Sequence, residues 1–124
     1  MSTGLDNLKV YILAKQLEIE THVETKNFPA DEKYRSVDQI RRSSSSVTNN
    51  IAEAYNRRST KDKIRILNDI AKCEAEETKR NLEVSCEKGF HKNINLAERY
   101  TELLKMMSGY IKFLKNNQDK LTNL

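Results

Sequence analysis

Glu53, Asp69, Glu74 and Glu77 are the side chains of this 124-residue chain whose type could do metal-assisted chemistry, because facing helices can present such carboxylates to a pair of metal ions. Sites of that kind also need a histidine three residues after a glutamate, and neither His22 nor His91 stands in that relation. Nor is either histidine near a serine or cysteine in a hydrolase-like motif. Both are read as packing or surface residues. Cys73 and Cys86 lie thirteen positions apart on what reads as one helix, so they cannot pair within it and they lack a CxxC spacing. They are read as buried or half-buried small residues. The expectation is a protein that binds rather than catalyses, with no metal and no cofactor.

Cations are the other candidates. The formal net charge is +4, and between Lys33 and Arg65 nine basic residues face only three acids, while the first 32 residues are net acidic. Arg41, Arg42, Arg57, Arg58, Lys61, Lys63 and Arg65 could contact phosphates, and Lys61 and Lys63 also flank the positive end of a helix. Affinity of this kind comes mainly from counterion release and falls steeply with salt. No recognition helix, stacking aromatic cluster or zinc finger predicts sequence discrimination. The other reading of these residues is solvated helix surface, with Arg41 and Arg42 pairing with acids such as Glu53 or Glu77.

Long helices must position these groups. There is one proline, three glycines and no alternating strand pattern. The first helix spans about 6–26, with Val10, Leu13, Ala14 and Leu17 inward and Ile12, Ile19 and Val23 widening its apolar face; Phe28 plugs the bundle end beyond it. Pro29 suits the first turn of a second helix over 30–56, where Val37, Ile40, Ser44, Val47, Ile51 and Ala54 keep a heptad rhythm that passes in phase through four serines. Ser59 with Asp62 resembles a capping box opening a third helix over 60–88. That helix turns Ile64, Leu67, Ala71, Ala75, Thr78, Leu82 and Cys86 inward, with Ile66, Ile70 and Cys73 as a second apolar row. Gly89 is placed as its left-handed cap, and Asn93 or Asn95 starts a fourth helix over 95–121 carrying Ala97, Tyr100, Leu104, Met107, Ile111, Leu114 and Leu121.

Short joints make each helix reverse the last, so the fold class is all-α: one domain over 1–124, an antiparallel up-down-up-down four-helix bundle. Beside the seam of the second helix runs a polar row that includes Ser43, Ser46, Asn50 and Glu53. Its small side chains allow close approach of another helix, either in a neighbouring copy, as an oligomer interface, or within one bundle. No stretch approaches the roughly 20 apolar residues of a membrane span and Met1-Ser2-Thr3-Gly4 lacks signal-peptide character, so the expected location is the cytoplasm, with no membrane partner.

Phe28-Pro29 with Glu32, Gln39-Ile40-Arg41-Arg42, Ser46-Val47, Asn50-Ile51-Ala52-Glu53 and Arg57 with Ser59 form a pattern that resembles the bacterial four-helix bundle protein family. Leu67, Ile70-Ala71, Glu77 and Leu82 extend the resemblance over nearly the whole chain. The family includes proteins encoded in intervening sequences of large-subunit ribosomal RNA genes and is related to the accessory variability determinant of diversity-generating retroelements. Three positions depart from it: Thr48 stands where proline is usual, Ala54 where glycine is usual, and Cys73-Glu74 where Gly-Ser is usual. The first two make the second helix straighter, and the third puts a charge on a spot that is usually small.

The resemblance implies a homo-oligomeric ring, with a pentamer favoured, that binds RNA or DNA and assists a reverse transcriptase. The alternatives are an intervening-sequence-encoded protein of a ribosomal RNA operon, or a protein adaptor that never touches nucleic acid. The adaptor would use a flank of Tyr100, Leu103, Met106 and Tyr110, which could equally serve oligomer packing. Salt separates an apolar dock from a phosphate contact.

Overall fold

A computed structural model describes residues 4–122, with side chains as far as Gln118. Four long helices account for it, and no strand occurs among the described residues. Helix α1, Lys9–Thr25, buries Val10, Leu13, Ala14, Leu17, Thr21 and Thr25 on one face. Ile12, Ile19 and Val23 point away from it and are 41%, 56% and 54% exposed. The chain then turns through Phe28, whose buried ring stacks on His91 at 5.5 Å and leans on Phe90 at 5.7 Å, closing this end of the molecule.

The next helix is expected from Ala30, yet regular α2 begins only at Asp38 and runs Asp38–Asn56. Ahead of it come a 3-10 turn, Ala30–Glu32, and a π turn, Lys33–Val37, with a kink at Arg35. Of residues 30–37 only Val37 is buried, so no apolar row holds the segment in α-helical phase before the seam starts. The serine run stays helical because each buried hydroxyl has an acceptor one turn back. Ser43 Oγ donates to the Ile40 carbonyl and Ser44 Oγ to the Arg41 carbonyl, at 3.2 and 3.1 Å, and competition from non-helical conformations is thereby removed.

Arg57 is extended and ends α2. Ser59 Oγ accepts from the Asp62 amide at 3.2 Å and opens α3, which runs from Thr60–Ile66 through a π turn, Leu67–Ala71, into Lys72–Glu87. A π turn inserts one extra residue per turn and shifts the phase of everything after it. The expected inward row still holds at Leu67, Ala71, Ala75, Thr78 and Leu82; at its ends Ile66 is buried where Ile64 is only half-buried and Ser85 is buried where Cys86 was expected, and Ile70 lies outward. The reading of Cys73 as buried or half-buried is corrected: it is exposed.

Gly89 has φ +83°; its amide bonds to Cys86 and the Phe90 amide to Ser85, satisfying the last carbonyls of α3 in a Schellman arrangement. Asn93, not Asn95, caps α4, its side-chain oxygen accepting from the Leu96 amide at 3.3 Å. Helix α4, Ile94–Thr122, buries Leu96, Ala97, Tyr100, Leu103, Met107 and Ile111; the side chain of Leu121 lies outside those described. Burial of Tyr100 and Leu103 corrects the flank assigned to a protein dock, since both belong to the core and only Met106 and Tyr110 remain half-exposed.

Each helix packs on two others: α1 on α2 and α4, and α3 on α2 and α4. Polar contacts mark the seams. Thr21 meets the Tyr100 hydroxyl at 3.3 Å and Glu20 pairs with Arg99 between α1 and α4, while Ser43 meets Thr78 at 2.7 Å between α2 and α3. No helix among the described residues is long and apolar enough to cross a membrane.

Candidate nucleic-acid interface

Five of the seven nominated cations are engaged inside the chain. Arg41 Nε donates to Thr25 Oγ1 at 2.8 Å and its Nη2 reaches the His22 carbonyl, so this guanidinium caps the end of α1. Arg42 pairs with Asp38 one turn back at 3.4 Å. The acids expected to pair with these two arginines, Glu53 and Glu77, make no ion pair with either, although Arg42 and Glu77 line one cleft; Glu53 instead holds Arg57 at 2.5 Å, and that carboxylate raises the Arg57 guanidinium above its usual range. Lys63 Nζ donates to the Tyr55 carbonyl at 2.7 Å and lies over the Tyr55 ring, closing the end of α2. Arg65 stands 3.9 Å from Asp62.

Arg58 and Lys61 are different. Both are exposed, both lie at the α2–α3 joint, and neither makes a hydrogen bond or ion pair among the described residues. A cation without an internal partner keeps its full charge for an external anion, whereas one already paired must first be released. The joint therefore presents two free cations, with Arg57 beside them on a surface pair that competing phosphate could exchange.

The polar row of α2 divides in the same way. Ser43 is buried with its hydroxyl on Thr78, so it serves packing between α2 and α3. Ser46 and Asn50 are half-buried, and the Asn50 amide donates back to the Ser46 carbonyl and hydroxyl at 2.8 and 3.0 Å. Together with Arg41, Arg42, Ser45 and Asn49 they line a shallow surface cleft of about 520 Å³. Glu53 remains on the surface.

A larger polar cleft, of about 860 Å³, lies between the start of α2 and α3, with Ser43, Ser46, Glu74 and Glu77 on its wall. Burial, and then the neighbouring Glu77 carboxylate, raises the Glu74 carboxyl above its usual 4.5. The folded chain thus holds this proton more tightly than the unfolded one, and the stability this contributes at acid pH is lost as pH rises through the folded value. Glu74→Gln is expected to raise the thermal midpoint at about pH 7 and to change it little below about pH 4. Melting curves at the two pH values check this, and an equal shift at both would exclude the charge as the cause. No group of three or more His, Cys, Asp or Glu side chains that could hold a metal ion occurs among the described residues.

Three cations were missed by the sequence reading. Lys72, Lys112 and Lys115 line one cleft between α3 and α4, although 40 residues separate the first from the second. No local charge run marks them.

A family model described as 23S rRNA-intervening sequence protein covers residues 6–109, from the turn before α1 to the middle of α4. No curated protein matches the chain.

Proposed function

The chain belongs to the 23S rRNA-intervening sequence protein family, and from that premise we propose that it is a non-enzymatic RNA-binding protein that works in the cytoplasm as an up-down-up-down bundle assembled into a homo-oligomeric ring. The observation that carries the RNA contact is the pair of free cations, Arg58 and Lys61, at the α2–α3 joint. An antiparallel run of α1 and α4 is supported by their seam, where positions 20, 21 and 24 meet 99, 100 and 91, and the short joints carry the rest of the alternation. Assembly is supported by the half-buried polar side chains of Ser46 and Asn50 and by the unpaired Ile12, Ile19 and Val23 on α1. Repetition of a two- or three-cation patch around a ring multiplies weak contacts by raising effective concentration.

The family name favours a ribosomal RNA setting. The retroelement setting, in which the ring assists a reverse transcriptase on RNA or DNA, is the second reading; it rests on the sequence resemblance, with the exposed apolar face of α1 as the surface a protein partner would use.

Light scattering after gel filtration, followed by titration of the same peak with a fluorescent structured RNA at about 50 and 200 mM salt, tests both parts. A species several times 14.4 kDa is expected. Its affinity should fall steeply with salt, and Arg58→Glu with Lys61→Glu should weaken binding tenfold or more, about 1.4 kcal/mol or above. A monomer indifferent to RNA at low salt excludes the proposal, and binding that ignores salt points to an apolar protein dock instead.

A further inference from the structure

The cleft between α3 and α4 measures about 270 Å³ and is lined by Asn68, Lys72, Ser108, Ile111, Lys112 and Lys115, with no carboxylate among the described residues on its wall. On α4, Ser108, Lys112 and Lys115 follow at four and three residues and so share one row; on α3, Asn68 and Lys72 are four apart. Ile111 is buried and forms the floor between the two rows. Donors therefore stand on both sides of an apolar base.

Some surface cations of this chain pair with a carboxylate one turn away, as at Arg42–Asp38, Arg57–Glu53 and Lys79–Glu83, and others, such as Arg58 and Lys61, do not. Lys72 and Lys112 belong with the second group. Lys72 has Asp69 three residues back and Glu76 four ahead, yet it makes no ion pair with either; Asp69 accepts instead from the Asn68 amide at 3.3 Å. Lys112 has Ser108 and Asn116 at its two helical neighbours, so no partner was available. Asp119, four ahead of Lys115, has its side chain outside those described, so Lys72 and Lys112 carry the inference and Lys115 adds to it. The dipole of α4 does not account for the row, since Lys112 and Lys115 precede the last turn of a helix that ends at Thr122, and the dipole acts within that turn.

Size narrows the ligand. The volume is below the roughly 300–1,000 Å³ of sites that enclose a whole small molecule, so this cleft suits one charged unit of a larger one. Ammonium, amide and hydroxyl donors around it fit the oxygens of a phosphodiester, and Ile111 accepts the apolar face of a sugar.

We propose that the Lys72–Lys112–Lys115 cleft is a phosphodiester-binding site that holds the backbone of an RNA strand, a second contact separate from the α2–α3 joint. The proposal rests on the RNA-binding reading given above. Its ligand is a strand with no required sequence, because no group in the cleft is placed to read a base edge. Two contact regions on one subunit would track a longer stretch of RNA than the joint alone.

The test uses the full chain and the fluorescent structured RNA. Acetylation by an amine-reactive ester, read by mass spectrometry, should be several-fold slower at Lys72 and Lys112 when RNA is bound, with Lys9 and Lys15 on α1 unchanged. The triple variant Lys72→Gln, Lys112→Gln, Lys115→Gln should bind tenfold or more weakly, with a log–log salt slope shallower by about 2, at about 0.7 for each lost single-strand contact. Unchanged affinity and unprotected lysines, together with loss of binding in Arg58→Glu, Lys61→Glu, overturn the cleft and leave the RNA reading standing. A wild-type chain that binds no RNA at low salt removes both. Binding to vesicles containing anionic phospholipid that requires the three lysines, without RNA binding, overturns the assignment in favour of a lipid headgroup. Because the footprint is read on the unaltered protein, it decides the matter even where the triple variant fails to fold.

Discussion

Replacing Tyr100 by alanine is expected to lower the unfolding free energy by about 3–5 kcal/mol, a large share of the roughly 5–15 kcal/mol that holds a domain of this kind together. The ring is 1% exposed and sits at the seam of α1 and α4, where no neighbouring side chain is free to fill the space it would leave. Tyr100→Phe keeps the ring and removes only the hydroxyl. The buried Thr21 hydroxyl, 3.3 Å away, then loses its partner across the seam, and a cost of about 1–3 kcal/mol is expected. Denaturant unfolding of the three proteins checks the order.

Titration gives the same residue a second signature. Burial, with Glu18 and Glu20 adding to it and the Thr21 hydrogen bond opposing it, raises the Tyr100 hydroxyl well above its usual value of 10.0. Below that value both states hold the proton and stability does not depend on it. Above about pH 10 the unfolded chain releases the proton while the folded chain keeps it, so the folded state loses ground as pH rises. The stability gap between wild type and Tyr100→Phe should therefore narrow between about pH 9 and pH 11. A gap that stays constant would mean that Tyr100 ionises in the fold as freely as in water.

Joints and seams were the legible part of this chain, because each is written by residues close in sequence. Phe28 closes the bundle end, Ser59 with Asp62 opens a helix, and Gly89 supplies the left-handed turn that Phe90 and His91 need. The seam of α2 survived its serines for a local reason too, as each buried hydroxyl finds a carbonyl one turn back. What escaped was decided by tertiary packing. Helix α3 buries the single row Leu67, Ala71, Ala75, Thr78 and Leu82, which leaves Cys73 exposed, and Lys72 lines a cleft against α4. The segment before Asp38 bends because little of it is buried. Leu103 read as a flank beside the heptad row that holds Tyr100, yet a long helix with two packed neighbours buries a face wider than one seam.

The cations show the limit most clearly. Seven of them cluster in sequence, but charge counting cannot say that Arg41 caps α1, that Lys63 closes α2, or that Arg58 and Lys61 are left over. Each of those outcomes depends on which backbone carbonyl or carboxylate lies within reach of a long side chain after folding. Interface residues behaved alike: Ser43 and Ser46 are three apart on one row, and only the first meets a partner helix of its own bundle.

His91 carries the other large expected effect. Its Nε2–H donates to the Leu82 carbonyl at 2.8 Å, since a carbonyl can only accept, and this fixes the tautomer; Nδ1 is then free to accept the Asn93 amide at 3.1 Å. One buried ring thus ties the last turns of α3 to the residue that caps α4, while its face stacks on Phe28 from the first joint and Glu24 stands 3.8 Å from Nδ1. Two connections of the fold, the α1–α2 and α3–α4 joints, meet on it. His91→Ala is expected to cost about 2–4 kcal/mol, combining lost packing with two backbone groups left without a partner. His91→Leu restores most of the volume and none of the hydrogen bonds, so it should recover only part of the loss. Hydrogen exchange locates the damage: the amides of Asn93 and Leu96 should lose protection in both variants, whereas the α2–α3 seam around Ser43 and Thr78 should keep it. Equal stability of His91→Leu and wild type would show that Phe28 packing alone holds this end, and that the two hydrogen bonds merely replace those made to water.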